Sequence, residues 1–220
     1  MNLATLFPPF GLRIEAGPLV LRPITDDVLP TLVDLALGGI HDPQMMPFYV
    51  PWTDAPPERL PMMFTQYHWG VRSSFTPEHW ALELAVEHEG RIVGVQAFAT
   101  HAYPVTRTGE TGSWLGLPHH GRGIGTMMRQ TICAFIFDHL DADEITSAAF
   151  TDNPASNAVS RKVGYQPNGL QRRTRRPQEW QDSQRWLLTP DTFVRGPEIS
   201  VSGVEAFRAF IGLPNRPSPG

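Results

Sequence analysis

Gly121-Arg122-Gly123-Ile124-Gly125, near the middle of the chain, has the composition of a turn that grips an anion. Glycine adopts left-handed backbone freely, so a glycine-rich turn can point several amides at one ligand. The apolar stripe Ile124, Met128, Ile132, Phe135 and Ile136 follows at helical spacing, so the turn opens a long helix reaching about Leu140. Its first amides and the positive end of its dipole would face the turn, which suits a phosphate. The ATP-type loop needs a Gly-Lys pair, and the chain contains none. The dinucleotide pattern G-x-G-x-x-G also fails, because its last position falls on Thr126 or Met128. A diphosphate of another kind remains, and that of coenzyme A fits. Taken alone, the same residues also make an ordinary tight strand-to-helix turn.

The elements that must position this turn are legible from pattern. Leu12 to Pro23 alternates around Gly17-Pro18 and predicts a strand or hairpin. Thr25-Asp26-Asp27 offers an N-cap for a helix to about Leu37, and Pro56 or Pro57 opens another to about Ser74. Trp80 to Glu87 and Arg91 to Thr100 flank Glu89-Gly90 as a hairpin, and Glu110 to Leu117 is a strand leading into the glycine turn. After a short strand from Glu144 to Phe150, Asp152 or Asn153 caps a helix with Pro154 in its first turn and Gly164 past its end. Tyr165 to Arg176 and Trp180 to Leu188 close as an antiparallel pair. The expected class is α+β: a mixed, mostly antiparallel sheet of about seven strands with helices on both faces.

Two segments resemble a known family. Glu110 to Thr126, with Trp114-Leu115 before the glycine turn, is similar to the pyrophosphate motif [Q/R]-x-x-G-x-[G/A] of the GNAT superfamily, in its RimJ/RimL-like branch. His120 stands where the family usually has glutamine or arginine. Asn153-Pro-Ala-Ser156-Asn-Ala-Val159-Ser-Arg-Lys162-Val-Gly164-Tyr165 is similar to the branch's N-x-x-S-x-x-V-x-x-K-x-G-F segment. The resemblance covers about Leu12 to Asp191 and implies one acyl-CoA N-acyltransferase domain over 1–195, with 196–220 forming a C-terminal helix and proline-rich tail.

The resemblance implies that the strands beginning at Glu110 and Glu144 splay, so that the pantetheine arm of acyl-CoA lies between them like an added strand. Leu115, Gly116, Leu117, His120, Gly121, Arg122, Gly123, Ile124, Gly125, Thr126, Asn153 and Ser156 would then contact the cofactor, with an oxyanion donor among the amides near Leu115 to Leu117. Ser156 would protonate the departing thiolate, and Asn153 would position the thioester or a water. An amine nucleophile is mostly protonated at neutral pH, so a base is needed: Glu110 first, then Glu83 and His101. Ser156 is equally an ordinary first-turn residue, Asn153 an N-cap, and Glu110 an exposed strand glutamate. Tyr165 reads as core, and His119 as a coenzyme A neighbour. The acyl group is acetyl or succinyl, because the chain also resembles mycobacterial members associated with succinyl-CoA. A succinyl carboxylate needs a cation or several N–H donors, for which Arg72, Arg173, Arg175, His41 and His68 are candidates.

Composition narrows the alternatives. A net charge of −4 argues against broad nucleic-acid binding, although Arg172, Arg173, Arg175 and Arg176 cluster locally. The one cysteine, Cys133, can form no internal disulfide and completes no metal cluster, so no metal is expected. No apolar run approaches the roughly 20 residues of a membrane span, and Met1 to Phe10 lacks the marks of a signal peptide. A cytoplasmic enzyme acting on an amine acceptor, as a homodimer or higher homo-oligomer, is expected. The alternative is a catalytically silent acyl-CoA sensor.

Overall fold

The protein is described by a computed structural model covering residues 1–214; the end of the proline-rich tail, 215–220, lies outside the described residues. Among the described residues nine strands form one sheet rather than the expected seven or so. They are β1 (Arg13–Ala16), β2 (Leu19–Pro23), β3 (His79–His88), β4 (Arg91–His101), β5 (Glu110–Leu115), β6 (Ile145–Phe150), β7 (Gln166–Arg176), β8 (Glu179–Leu188) and β9 (Ser200–Ser202). Their spatial order is β7-β8-β6-β5-β4-β3-β2-β1-β9, with every pairing antiparallel except β5 with β6. The additions are the resolution of Leu12 to Pro23 into two strands and the short β9, which pairs with β1 beyond the predicted set.

Among the described residues seven α-helices accompany the sheet: α1 (Leu3–Leu6), α2 (Leu29–Leu37), α3 (Leu60–Ser73), α4 (Tyr103–Thr106), α5 (Ile124–Leu140), α6 (Pro154–Val163) and α7 (Val204–Phe210). β3 shows why they lie on both faces. Trp80, Leu82, Leu84 and Val86 alternate onto the side of α5, whose Ile124, Met128, Ile132, Phe135 and Ile136 are all buried there. Ala85, with Val95 of β4, faces Leu29, Leu32, Val33, Leu60 and Phe64 of α2 and α3. Each fully buried large apolar side chain contributes about 1.5–3 kcal/mol of transfer free energy.

Three boundaries differ from expectation. α2 starts at Leu29 because Asp26 is used elsewhere: it accepts from Trp69 Nε1 (3.1 Å) and from Arg72 (2.5 Å) of α3. α3 starts at Leu60, since the amides of Arg59 and Leu60 both close a turn onto the Pro56 carbonyl. β5 ends at Leu115, and Leu117–His119 form a single 3-10 turn. At the C-terminal end, α7 inserts Phe207 into the core, and buried Arg208 pairs with Asp141 at 2.8 Å. No helix among the described residues is long and apolar enough to cross a membrane.

Candidate active site

The mouth of α5 is built as the sequence predicts. Gly121 and Gly123 have φ of +73° and +80°, in the left-handed region, and a Cβ at either would meet open space. Glycine is thus required by backbone angle rather than by crowding. Gly123 is the N-cap and supplies no side chain, so the helix start is capped by nothing of its own. Thr126 and Met127 donate to the Gly123 carbonyl, whereas the amides of Gly121, Arg122, Gly123, Ile124 and Gly125 find no acceptor among the described residues. Unpaired amides at a helix start, in an exposed turn, form an anion site.

β5 and β6 lead to this mouth as a fork. They pair only at Glu110 with Thr146 and at Thr111 with Ser147, so from Gly112 onward β5 has a strand partner on the β4 side alone. β6 from Ala148 to Phe150 likewise pairs only with β8. α6 borders the fork near its upper end: a Cβ on Gly125 would stand 3.6 Å from Val159 Cγ2 and 3.9 Å from Leu115 Cδ1. The glycine turn, the end of β5 and the second motif therefore meet.

The individual residues fall in two groups. Leu115, the glycine turn, Thr126, Ser156 and Asn153 surround the fork and helix mouth. Asn153 caps α6, its Oδ1 accepting from the Ser156 amide at 3.1 Å, while the partly exposed Ser156 hydroxyl has no partner among the described residues. Ile124 is buried and offers only its backbone. The amides of Gly116 and Leu117 depart from expectation, because they already donate to the carbonyls of Val93 and Gly39, each at 3.0 Å. This follows from β5 ending early, and leaves the unpaired edge between Gly112 and Leu115. His120 is exposed but engaged, its Nε2 donating to the Leu115 carbonyl at 2.9 Å.

On the face covered by α2 and α3, Glu83, Ala97 and Gly112 are cross-strand neighbours, and Ala81, Ala99 and Glu110 form the adjacent row. Small residues here leave a trough; a Cβ on Gly112 would meet nothing within 4 Å. Tyr67 of α3 walls one side and donates to Glu83 Oε1 at 2.7 Å. Tyr49, from the proline-rich segment between α2 and α3, bounds the side over β6 and β8, its hydroxyl 2.5 Å from Ser183 Oγ. That segment is strapped down by Arg176, whose Nε lies 2.6 Å from Asp54. Burial lifts the Glu83 carboxyl to about 7, against the opposing pull of the Tyr67 hydrogen bond. The Glu110 carboxylate has no hydrogen-bond or ion-pair partner among the described residues. His101 is paired with His79, their Nδ1 atoms 2.6 Å apart, at the end of the β3–β4 hairpin.

Two further residues sit beneath the fork. Tyr165 is core, as its position predicts, its hydroxyl 3.0 Å from Thr111 Oγ1 and 3.3 Å from Cys133 Sγ. Burial pushes the Cys133 thiol up to about 11. Arg129 of α5, absent from the sequence-based set, bridges the fork from below, donating to Ser147 Oγ at 2.9 Å and Ser113 Oγ at 3.1 Å. No group of three or more His, Cys, Asp or Glu able to hold a metal occurs among the described residues.

The raised Glu83 carboxyl has a measurable consequence. Its folded-state value of about 7 exceeds the ordinary 4.5, so its contribution to stability is full below pH 4.5 and is lost as pH rises through 7. Glu83→Gln should therefore match the native protein in thermal stability at pH 4 and exceed it by a growing margin toward pH 8. A pH-independent difference would contradict the assignment.

Comparison with solved structures finds the same architecture. RimL, a ribosomal L7/L12 alpha-N-protein acetyltransferase in complex with coenzyme A, is 19% identical, with a TM-score of 0.65 over 80% of this chain and 97% of that one. Mycobacterium smegmatis RimJ in complex with CoA-disulfide is 20% identical, with a TM-score of 0.69 over 90% and 92%. The microcin C7 self-immunity acetyltransferase MccE, in complex with acetyl-CoA and AMP, is 17% identical, with a TM-score of 0.61 over 79% and 93%. At such identities these likenesses establish the fold. The family profile described as "Acetyltransferase (GNAT) domain" matches residues 18–166, from β2 to the start of β7, and takes in both the fork and the helix mouth. With more than half of its 220 residues so matched, the chain belongs to the GNAT acetyltransferase family.

Proposed function

We propose that the protein moves an acyl group from acyl-CoA to a primary amine by direct transfer, the diphosphate held at the mouth of α5 and the pantetheine arm in the β5–β6 fork. The observation that carries this reading is the continuity of the β5 edge from Gly112 to Leu115, which has no strand partner on the β6 side, with the unpartnered amides of Gly121 to Gly125. Pantetheine amides would pair with that edge as an added strand does, and the diphosphate would complete the helix start. The remaining contacts, from Leu115 through Thr126 with Asn153 and Ser156, follow from the same placement.

In the reaction the amine nitrogen attacks the thioester carbonyl, an amide of the Gly112–Leu115 edge steadies the oxyanion, and the carbon–sulfur bond breaks. The Ser156 hydroxyl passes a proton to the departing thiolate and takes one back from water, and Asn153, by capping α6, holds Ser156 in place. The amine's proton passes to a trough carboxylate. Glu110 stands at the crotch of the fork and is the first choice. Glu83, tuned to about 7, lies in the row of Gly112 and would receive the proton through water. The exposed, small-residue trough suits an extended amine such as a protein N-terminus, the substrate class named for RimL, or a small molecule.

The acyl-CoA domain is assigned to 1–195, with β9 and α7 of the following segment closing the sheet edge and core. A cytoplasmic location follows from the need for acyl-CoA. Association as a homo-oligomer is supported by Leu170 and Trp180, large apolar side chains exposed on the β7–β8 hairpin, and light scattering would count the subunits. The reading is tested by following thiol release from acetyl-CoA or succinyl-CoA with panels of amines and N-terminal peptides. Amine-dependent release is expected; coenzyme A binding without release to any amine would instead favour an acyl-CoA sensor.

A further inference from the structure

β7 and β8 carry five arginines, and three of them are engaged: Arg175 with Asp152, Arg176 with Asp54, and Arg172 against the Trp180 ring at 3.7 Å. Arg173 and Arg185 have no carboxylate within ion-pair distance among the described residues. Arg185 Nη1 donates to the neutral Gln171 Oε1 at 3.2 Å, and the Arg173 guanidinium lies over the Tyr49 ring at 5.0 Å.

Strand register puts both on the trough side of the sheet. Across the strands, Glu110 faces Thr146, Ala148 faces Arg185, and Phe150 faces Ser183, which in turn faces Gln171. Side chains two apart on a strand share a face, so Arg185, Gln171 and Arg173 stand on the side that carries Glu110 and Gly112. Tyr49 marks the same face, its ring packed edge-on against Phe150 at 5.2 Å and its hydroxyl bonded to Ser183. The two guanidinium groups converge there, Arg185 reaching back to Gln171 in the Ser183 row and Arg173 covering the ring. Burial lifts the Tyr49 hydroxyl above its ordinary value, the Glu110 charge adds to that, and the Ser183 hydrogen bond, Arg173 and Arg185 oppose it. One oxygen thus lies within electrostatic reach of all three charges.

The trough is therefore charged unequally, with Glu83 and Glu110 on its β3–β5 side and two guanidinium groups beyond β6. Converging cations repel each other, and an anion that settles between them relieves the repulsion through charge-assisted hydrogen bonds. An amine that arrives protonated is drawn to the carboxylates, and the opposite wall then favours a negative charge on the same molecule. The row of Arg185 lies two residues along the strand from that of Glu110, about 7 Å, and two strands across, about 10 Å. Arg173 is separated from the pantetheine edge of β5 by β6 and β8, which places it with the acceptor rather than with the acyl chain.

We infer that Arg173 and Arg185, with Tyr49 between them, form an anion subsite for the acceptor, so that the preferred nucleophile carries a carboxylate or phosphate within about three extended residues of its amine. This rests on the acyl-transfer reading above and narrows the acceptor, leaving the acyl group open.

The test is steady-state kinetics of the full-length protein with short peptides that differ only at the third residue: glutamate, phosphoserine, alanine or lysine. The donor is whichever of acetyl-CoA and succinyl-CoA gives the faster thiol release. For the native protein, kcat/KM with the glutamate or phosphoserine peptide should exceed that with the alanine peptide by at least about 10-fold, chiefly through KM. The lysine peptide should be poorest, and the preference should shrink as salt rises. Whichever anion leads supports the subsite and identifies the group it takes. Arg173→Gln/Arg185→Gln should bring the four peptides together, and Arg173→Lys/Arg185→Lys should keep part of the preference. Equal kcat/KM for the four peptides with the native protein overturns the inference while acyl transfer stands, and needs no variant to fold. A preference that survives in a folded Arg173→Gln/Arg185→Gln protein also overturns it. Failure to acylate any peptide or simple amine overturns the acyl-transfer reading and the inference together.

Discussion

Glu110→Gln is expected to lower kcat by about 10²–10⁴-fold, the usual worth of a positioned general base, while leaving the Kd for coenzyme A nearly unchanged. The separation follows from topology. Glu110 points to the trough under α2 and α3, opposite the α5 side, and the diphosphate site lies at the other end of β5. Glutamine keeps the size and hydrogen-bonding edge of the side chain, so a fall in turnover reports lost basicity. Steady-state kinetics with a saturating amine, paired with coenzyme A titration, checks it. Unchanged turnover would transfer the base to Glu83, whose own glutamine variant should then abolish the acidic limb of the pH–rate profile near pH 7.

Gly123→Val should weaken coenzyme A binding by about 10- to 100-fold, the loss of one to two kcal-scale charge-assisted contacts. At φ +80° a β-branched residue is strained, and relief of that strain turns the amides of Gly123 and Ile124 away from a common point. Gly123 has open space around its missing Cβ, so the substitution creates no clash in the core. Isothermal titration together with a melting curve distinguishes the cases: a large affinity loss in a protein that still unfolds cooperatively supports the helix-mouth site, and retained affinity contradicts it.

Much of the site was legible because its signals are local. The α5 stripe has a helical period, and Gly121 and Gly123 occupy the left-handed angles that only glycine adopts readily. Asn153, Pro154 and Gly164 bracket α6 as cap, first turn and stop. The elements that were misplaced depend on partners distant in sequence. Thr25-Asp26-Asp27 reads as a helix cap, but Asp26 is drawn to Trp69 and Arg72 of α3, and the helix waits until Leu29. β9 is three residues long and mostly exposed, and only its pairing with Arg13 to Glu15 makes it a strand.

The same distinction holds for chemistry. The alternation Leu82-Glu83-Leu84 puts Glu83 on the face opposite the α5 core, but its raised carboxyl depends on the packing of α3 and Tyr67 against it. Arg129 lies within an apolar helical run, next to Met128 and four residues before Cys133. That placement on the buried side was the available signal. That it bridges the two strands becomes visible only when β5 and β6 are seen to part above it. The expected oxyanion donors at Gly116 and Leu117 failed for a related reason, since Gly39, far away in sequence, takes the Leu117 amide.

The central claim is that the α5 mouth and the β5–β6 fork together hold an acyl-CoA, and a crystal structure of the protein grown with coenzyme A tests it most directly. Diphosphate oxygens within hydrogen-bond distance of the amides of Gly121 to Gly125, and a pantetheine arm pairing with β5 between Gly112 and Leu115, are the predicted result. Coenzyme A bound elsewhere, with the fork closed or vacant, would contradict the account.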